Sequence, residues 1–347
     1  MDFGQNMRRH WREMRARAAD THARASDAAN EHLNRLDFVR EWRWQTAQGI
    51  GIAILVVILL VYPLAAWLDS TIDDNPDFSA SAKAMAQGRS HAVANAVGLI
   101  NREVNKHGWT ANAPWFWPTA LLDDMPNYQK GIVEALGRFA FEMTDQIGRA
   151  RGTSEADLDL QSAAGLLQYP PDVWVWDPSV SIWPTATSTS QYRKAMKSLR
   201  QYNQRLASHQ AVFDTHTDNL QYTLDRIAAD LGSSSAAIQD HLEHKSGWPF
   251  DATSDDVFYT TKGQMYAYYI VLKGLQADFA DVIRQRDLGK PWASMMESFR
   301  NGISLKPMVV LNGAPDSDVF ACTLCGEGFY VARARAQLRE IKDILQQ

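Results

Sequence analysis

Cysteine is almost missing from this chain, with two among 347 residues, at positions 322 and 325. A framework of several disulfides, of the kind that staples small secreted domains, is excluded. The common catalytic signatures are missing too. There is no GxSxG, no HExxH, no Ser-x-x-Lys and no phosphate-binding glycine loop. Gly326-Glu-Gly328 opens like a dinucleotide loop but lacks the third glycine. No fixed-period repeat occurs, and low complexity is confined to an Ala/Arg bias at the N-terminal end.

Charge is missing from one stretch. Gly49 to Leu68 reads GIGIAILVVILLVYPLAAWL, twenty residues without a charged side chain. At about 1.5 Å per residue such a helix spans roughly the 30 Å hydrocarbon core of a bilayer. Trp42 and Trp44 precede it and Trp67 closes it, at the depth that indole rings favour. The spacing predicts a transmembrane helix rather than a buried core helix. A cleaved signal peptide fits less well, because its charged leader would be 48 residues long and Leu64-Ala65-Ala66 is a poor cleavage site. Small residues four apart, Ala47 with Gly51 and Gly49 with Ala53, permit close helix approach and a homodimer.

Residues 1–48 carry nine arginines and seven acids, whereas the 26 basic residues beyond the span are outnumbered by 33 acids. The positive-inside rule places the N-terminus in the cytoplasm and the C-terminal part in the periplasm of a bacterial inner membrane. The acidic balance argues against a nucleic-acid partner. In the N-terminal arm, Phe3, Met7, Trp11 and Met14 share one helical face among Arg8, Arg12 and further arginines. Such a face suits anionic headgroups, and it suits a partner helix equally well.

The sequence divides into the arm 1–48, the span 49–68, an acidic linker 69–78 and a periplasmic domain 79–347. The expected fold is mainly α: one transmembrane helix plus a helical-bundle-like domain with little or no strand. Pro307 to Leu311 is the one strand-like run. The longest predicted element runs from Gln191 to Leu231, on a four-three alternation from Tyr192 through Phe213 to Leu231, and ends at Gly232. It is expected to be the spine of the domain, with Phe213 deeply surrounded, followed by a short separate helix over 236–243.

Arg151-Gly152-Thr153-Ser154, the run Tyr202 to Leu206, IAADLGS from Ile227, DDVFYTTKG from Asp255 and GFYVARARAQLREI from Gly328 resemble a proteobacterial family. Its members are single-span inner-membrane proteins labelled only as a domain of unknown function. The resemblance supports the topology and carries over no catalytic or binding residue.

Three features carry candidate chemistry. Cys322 and Cys325 bracket two residues ahead of a helix, a spacing that fits a structural disulfide or a redox-active one. With His241 and His244, three apart on a helix, they also make a possible tetrahedral metal set. Trp115, Trp117, Trp174, Trp176 and Trp183 lie in two proline-rich irregular stretches, where indole planes can stack on sugars, grip a partner or fill the core. No cofactor is implied. The sequence reads as a membrane-anchored periplasmic domain that binds an envelope partner. The alternative is an envelope enzyme, either thiol-redox at the CxxC or a hydrolase.

Overall fold

A helix buried around its whole circumference belongs in the middle of a protein. In this chain that is the central part of Ala252–Asp278, here α6. Met265, Tyr266, Ala267, Tyr268, Tyr269, Ile270, Val271 and Leu272 are buried in unbroken succession. The computed structural model describes residues 46–61, 71–80, 87–114, 116–121, 123–150, 157–176, 183–245, 252–307 and 322–347, with single positions 20, 24, 64, 85 and 310. Around α6 the chain forms α1 (His91–Asn101, continued as a π-turn over Arg102–Lys106), α2 (Asp124–Ala150), α3 (Leu158–Leu167), α4 (Ser188–Ala207) and α5 (Thr217–Lys245). After it come α7 (Ala280–Gln285), α8 (Gly289–Ile303) and α9 (Thr323–Leu345). The fold is mainly α, with no strand among the described residues. Of the strand-like run 307–311, positions 308, 309 and 311 lie outside the described residues.

Helices α1, α2, α5, α8 and α9 pack on α6, while α3 and α4 close the side against α2 and α1. Two glycines set the closest approach. A Cβ on Gly263 of α6 would lie 2.1 Å from the Tyr128 carbonyl oxygen of α2, and one on Gly131 of α2 would lie 2.0 Å from that of Thr260. The starts of α1, α3 and α4 are capped by side chains. Ser90 accepts from Val93 N, Asp157 from Asp159 N and Leu160 N, and Thr187 from Ser190 N. Asp278, at the end of α6, adds a second cap to α1 by accepting from His91 N at 2.7 Å and Ala92 N at 3.0 Å.

The expected spine is not one helix. It breaks between α4 and α5, where His209 has a left-handed φ of 58° and Gln210 N turns back to Arg205 O. The four-three stripe survives on both sides, because Tyr192, Leu199 and Leu206 are buried by α4 and Leu220, Leu224, Ile227 and Leu231 by α5. A register of apolar residues therefore says nothing about the nine residues between. Phe213 falls in the break, half-buried, edge-on to Phe279 at 5.9 Å. It is not a core residue, and the spine is α6. Conversely, Gly232 does not stop a helix, and α5 continues through it and absorbs the helix expected over 236–243. Asn203, a polar slot in the stripe, is 5% exposed and serves as a brace. Its Oδ1 accepts from Arg89 N and Ser90 N, and its Nδ2 donates to Ser90 O.

The chain divides into two units, residues 1–64 and 65–347. In the first, residues 46–61 are helical, with a π-helical turn over Val57–Val61. Among the described residues no helix is long and apolar enough to cross a membrane. The rest of the run 49–68, apart from Leu64, lies outside them. So do the arm residues Phe3, Met7, Arg8, Trp11, Arg12 and Met14.

Candidate functional site

The irregular stretch after α1 is held open by one buried side chain. Gln129 of α2 is fully buried, and its Oε1 accepts from both Thr110 N and Thr110 Oγ1 at 2.9 Å. Its Nε2 donates to Gly108 O at 2.8 Å. Gly108, at φ +80°, makes the turn that releases the chain from the helix. Trp109 then drops into the core, where its ring meets Tyr192 edge-on at 4.8 Å and Nε1 donates to Pro171 O at 2.7 Å. Asn112 donates to Val173 O at 3.1 Å and ties this loop to the second irregular stretch. That stretch folds back on itself through Thr185 N to Val175 O and Ser188 N to Val173 O.

Between the two loops lies a cleft of about 340 Å³. Trp117, Phe116 and Trp174 form its aromatic walls, and His107, Thr110 and Thr119 contribute polar edges. Phe116 and Trp174 stand perpendicular to each other at 5.9 Å. Trp117 is 55% exposed, a large apolar surface to leave in water beside a cavity. Of the five candidate tryptophans, Trp117 and Trp174 meet in this cleft, Trp176 and Trp183 stand exposed on the second loop, and Trp115 lies outside the described residues.

Behind the cleft runs a buried charge network that sequence reading missed. Arg102 Nε donates to Glu103 Oε1 at 2.7 Å, and its Nη1 donates to the Tyr266 hydroxyl at 2.7 Å. Both charged residues are almost wholly buried. Burial works against the guanidinium's charge, but Glu103, Tyr266, Tyr128 and Asp73 together outweigh it and hold Arg102 above its ordinary range. His107 lies 3.8 Å from Glu103 and 4.0 Å from Asp73, linking cleft to network.

Asp73 belongs to residues 71–80, which overlap the expected linker 69–78 but are clamped onto the bundle. Asp74 bonds Lys262 at 2.9 Å and Lys306 at 2.8 Å. Burial pushes its carboxyl up, and the two lysine hydrogen bonds more than offset that, leaving it below the ordinary carboxylate value. Four further side chains reach the backbone of this strap. The Tyr128 hydroxyl donates to Asp73 O and the Tyr266 hydroxyl to Asn75 O. Lys273 donates to Pro76 O and Phe78 O, and Asn95 accepts from Ala80 N.

Two acidic pairs, Asp123-Asp124 at the start of α2 and Asp255-Asp256 in the first turns of α6, face each other. Burial, first, and then the carboxylates of Asp123, Asp255 and Asp256 push Asp124 up to about 6, against a hydrogen bond from Tyr259. The sign follows from linkage. The folded state holds this proton more tightly than the unfolded chain, so the contribution is present below pH ~4 and lost as pH rises to ~6. Asp124→Asn should therefore stabilise the protein by roughly 1–2 kcal/mol at pH 7, discounted for partial exposure, and by almost nothing at pH 4. Denaturant melts at the two pH values check this, and a gain that is equal at both would refute it.

Cys322 and Cys325 are joined in a disulfide, and Cys322 Sγ accepts from Cys325 N at the head of α9. His241 is buried with Nε2 2.8 Å from Ser254 Oγ, and His244 is exposed beside Asp240. The two pairs are engaged separately. Among the described residues no group of three or more His, Cys, Asp or Glu side chains is placed to hold a metal ion.

Residues 39–246 and 234–347 match the model of a family described as an uncharacterized protein conserved in bacteria, DUF2333. No curated protein and no solved structure matches the chain.

Proposed function

The chain belongs to this bacterial family, and we propose that it is a membrane-anchored, partner-binding protein of the cell envelope. The observation that carries the anchor is the surface of the first unit. Ile50, Ile52, Ile54, Leu55, Leu59 and Leu60 point outward on all sides of one uncharged helix, each more than half exposed. Burying a leucine-sized side chain is worth about 1.5–3 kcal/mol, so a helix apolar all round is stable only inside protein or lipid. Lipid suits the twenty uncharged residues and their flanking tryptophans. The arginine-rich arm then faces the cytoplasm and the bundle faces the periplasm. Alkaline phosphatase fused after Gln347 should be active, and the protein should resist carbonate extraction from membranes. An inactive fusion, or release into the supernatant, would overturn the anchor and its orientation.

The aromatic cleft is the part of the bundle suited to a partner. Its walls are indole and phenyl rings, which supply contact area at low entropic cost, and its floor is fixed by Gln129. Arg102 and Glu103 behind it bond each other, which suits a binding surface better than an acid–base catalyst. Trp117→Ala should leave thermal melting unchanged and abolish a partner's crosslink to a photoreactive residue placed at Ala113, which lines the cleft and is half-buried. A crosslink that survives Trp117→Ala would remove the cleft from the reading.

A further inference from the structure

The strap is held as a ligand is held. Its backbone is read by five side-chain contacts from the bundle, and its two adjacent acids each meet a buried cation, Arg102 at 3.3 Å from Asp73 and Lys262 at 2.9 Å from Asp74. Lys306 adds a third cation to Asp74, and the Phe78 ring lies under the Arg102 guanidinium at 4.9 Å. What sets this groove apart is that each buried cation has a second carboxyl, outside the strap, acting on it. Arg102 already has Glu103 at 2.7 Å. Lys262 bonds Asp74 rather than Glu327, the second carboxyl its charge acts on, which sits on the first turns of α9, fully buried and with both carboxyl oxygens lacking a hydrogen-bond partner. An unpaired buried carboxyl costs several kcal/mol if ionised. A groove whose strap never left would gain nothing from keeping one there.

We propose that the groove formed by Arg102, Lys262, Lys273 and Lys306 is a binding site for an acidic, extended segment of chain, that residues 73–80 are its resident occupant, and that Glu327 is the alternative partner that lets Lys262 release it. With the strap seated, Lys262 pairs with Asp74, and burial keeps the Glu327 carboxyl well above the ordinary range, hence protonated. Lys262 is the charged group that faces Glu327, and Lys262 itself faces Asp74 and Lys306. When Asp74 leaves, Glu327 gives one proton to solvent and its carboxylate takes over Lys262. One ion pair is exchanged for another, and no buried ammonium is stranded. Release is therefore favoured as pH rises.

The test uses the full chain in detergent micelles and a fluorescent peptide with the sequence of residues 71–80, TIDDNPDFSA. Asp74→Asn weakens the resident strap, so this variant should bind the peptide at least tenfold more tightly than the wild type, whose groove is filled. A peptide with both adjacent aspartates changed to asparagine should not bind. Independently, hydrogen exchange should show the amides of residues 72–78 opening while α6 stays protected. Glu327→Gln, which cannot take a charge, should slow that opening about tenfold at pH 8 and leave it unchanged at low pH. A folded Asp74→Asn protein that ignores the peptide would overturn the binding site. Strap amides that exchange only together with α6, in wild type and Glu327→Gln alike, would overturn the release. If Asp74→Asn does not fold, the Glu327→Gln comparison decides alone.

Discussion

Gly263→Ala should destabilise the bundle by at least about 3 kcal/mol, although alanine is the better helix former by about 1 kcal/mol. The added methyl would sit 2.1 Å from the Tyr128 carbonyl oxygen, which is backbone and cannot swing aside as a side chain would. The central helix would have to move off α2, and every layer packed on it would loosen, because interiors are packed to crystal density. The matching control is Gly165 in α3, which is exposed and has nothing within 4 Å of its added Cβ. There the same substitution should stabilise by up to about 1 kcal/mol through helix propensity and lost unfolded-state freedom. Denaturant melts of the two variants read the contrast. If both shifted stability in the same direction, the close approach of α2 and α6 would not be the contact that holds the core.

The second large effect is expected at Arg102. Its side chain is 3% exposed, and beside it Glu103 is fully buried. Arg102→Met keeps most of the volume and strands the carboxylate, at a cost of about 3–5 kcal/mol. The double variant Arg102→Met/Glu103→Gln removes the stranded charge and should recover much of that loss. The cycle separates the cost of an orphaned charge from the worth of the pair. A mild single variant, or a double variant no better than the single, would mean that water or another cation reaches Glu103.

How much of this was legible in the sequence depended on how far apart the cooperating residues are. Most of the helices were legible because their apolar period and caps lie within a few residues. Asp157, for example, is the N-cap of α3 and bonds the amides two and three residues on. The break at His209 was not legible, since both flanking stripes keep the same register and the positive φ leaves no glycine as a sign. Asp123-Asp124 and Asp255-Asp256 each look like solvated helix starts. Their meeting, which raises Asp124, needs α2 and α6 side by side. The cleft was half visible. The tryptophans in proline-rich loops stood out, but Gln129, which fixes the cleft's floor from α2, carried no signal in a helix full of polar residues.

The sequence by itself determined that the protein is mainly helical, with one twenty-residue run free of charge and aromatic loops. Period and composition are properties of near neighbours, and local sterics and solvation act on them directly. Only the tertiary structure decided that α6 is the centre, that residues 71–80 are seated on the bundle, and that Arg102, Glu103, Lys262 and Glu327 are buried together in two charge clusters. Lys262 is buried because Asp74 is brought to it from a distant part of the chain. Lys262 stands 188 residues from Asp74 and 65 from Glu327, and no local pattern records such a distance.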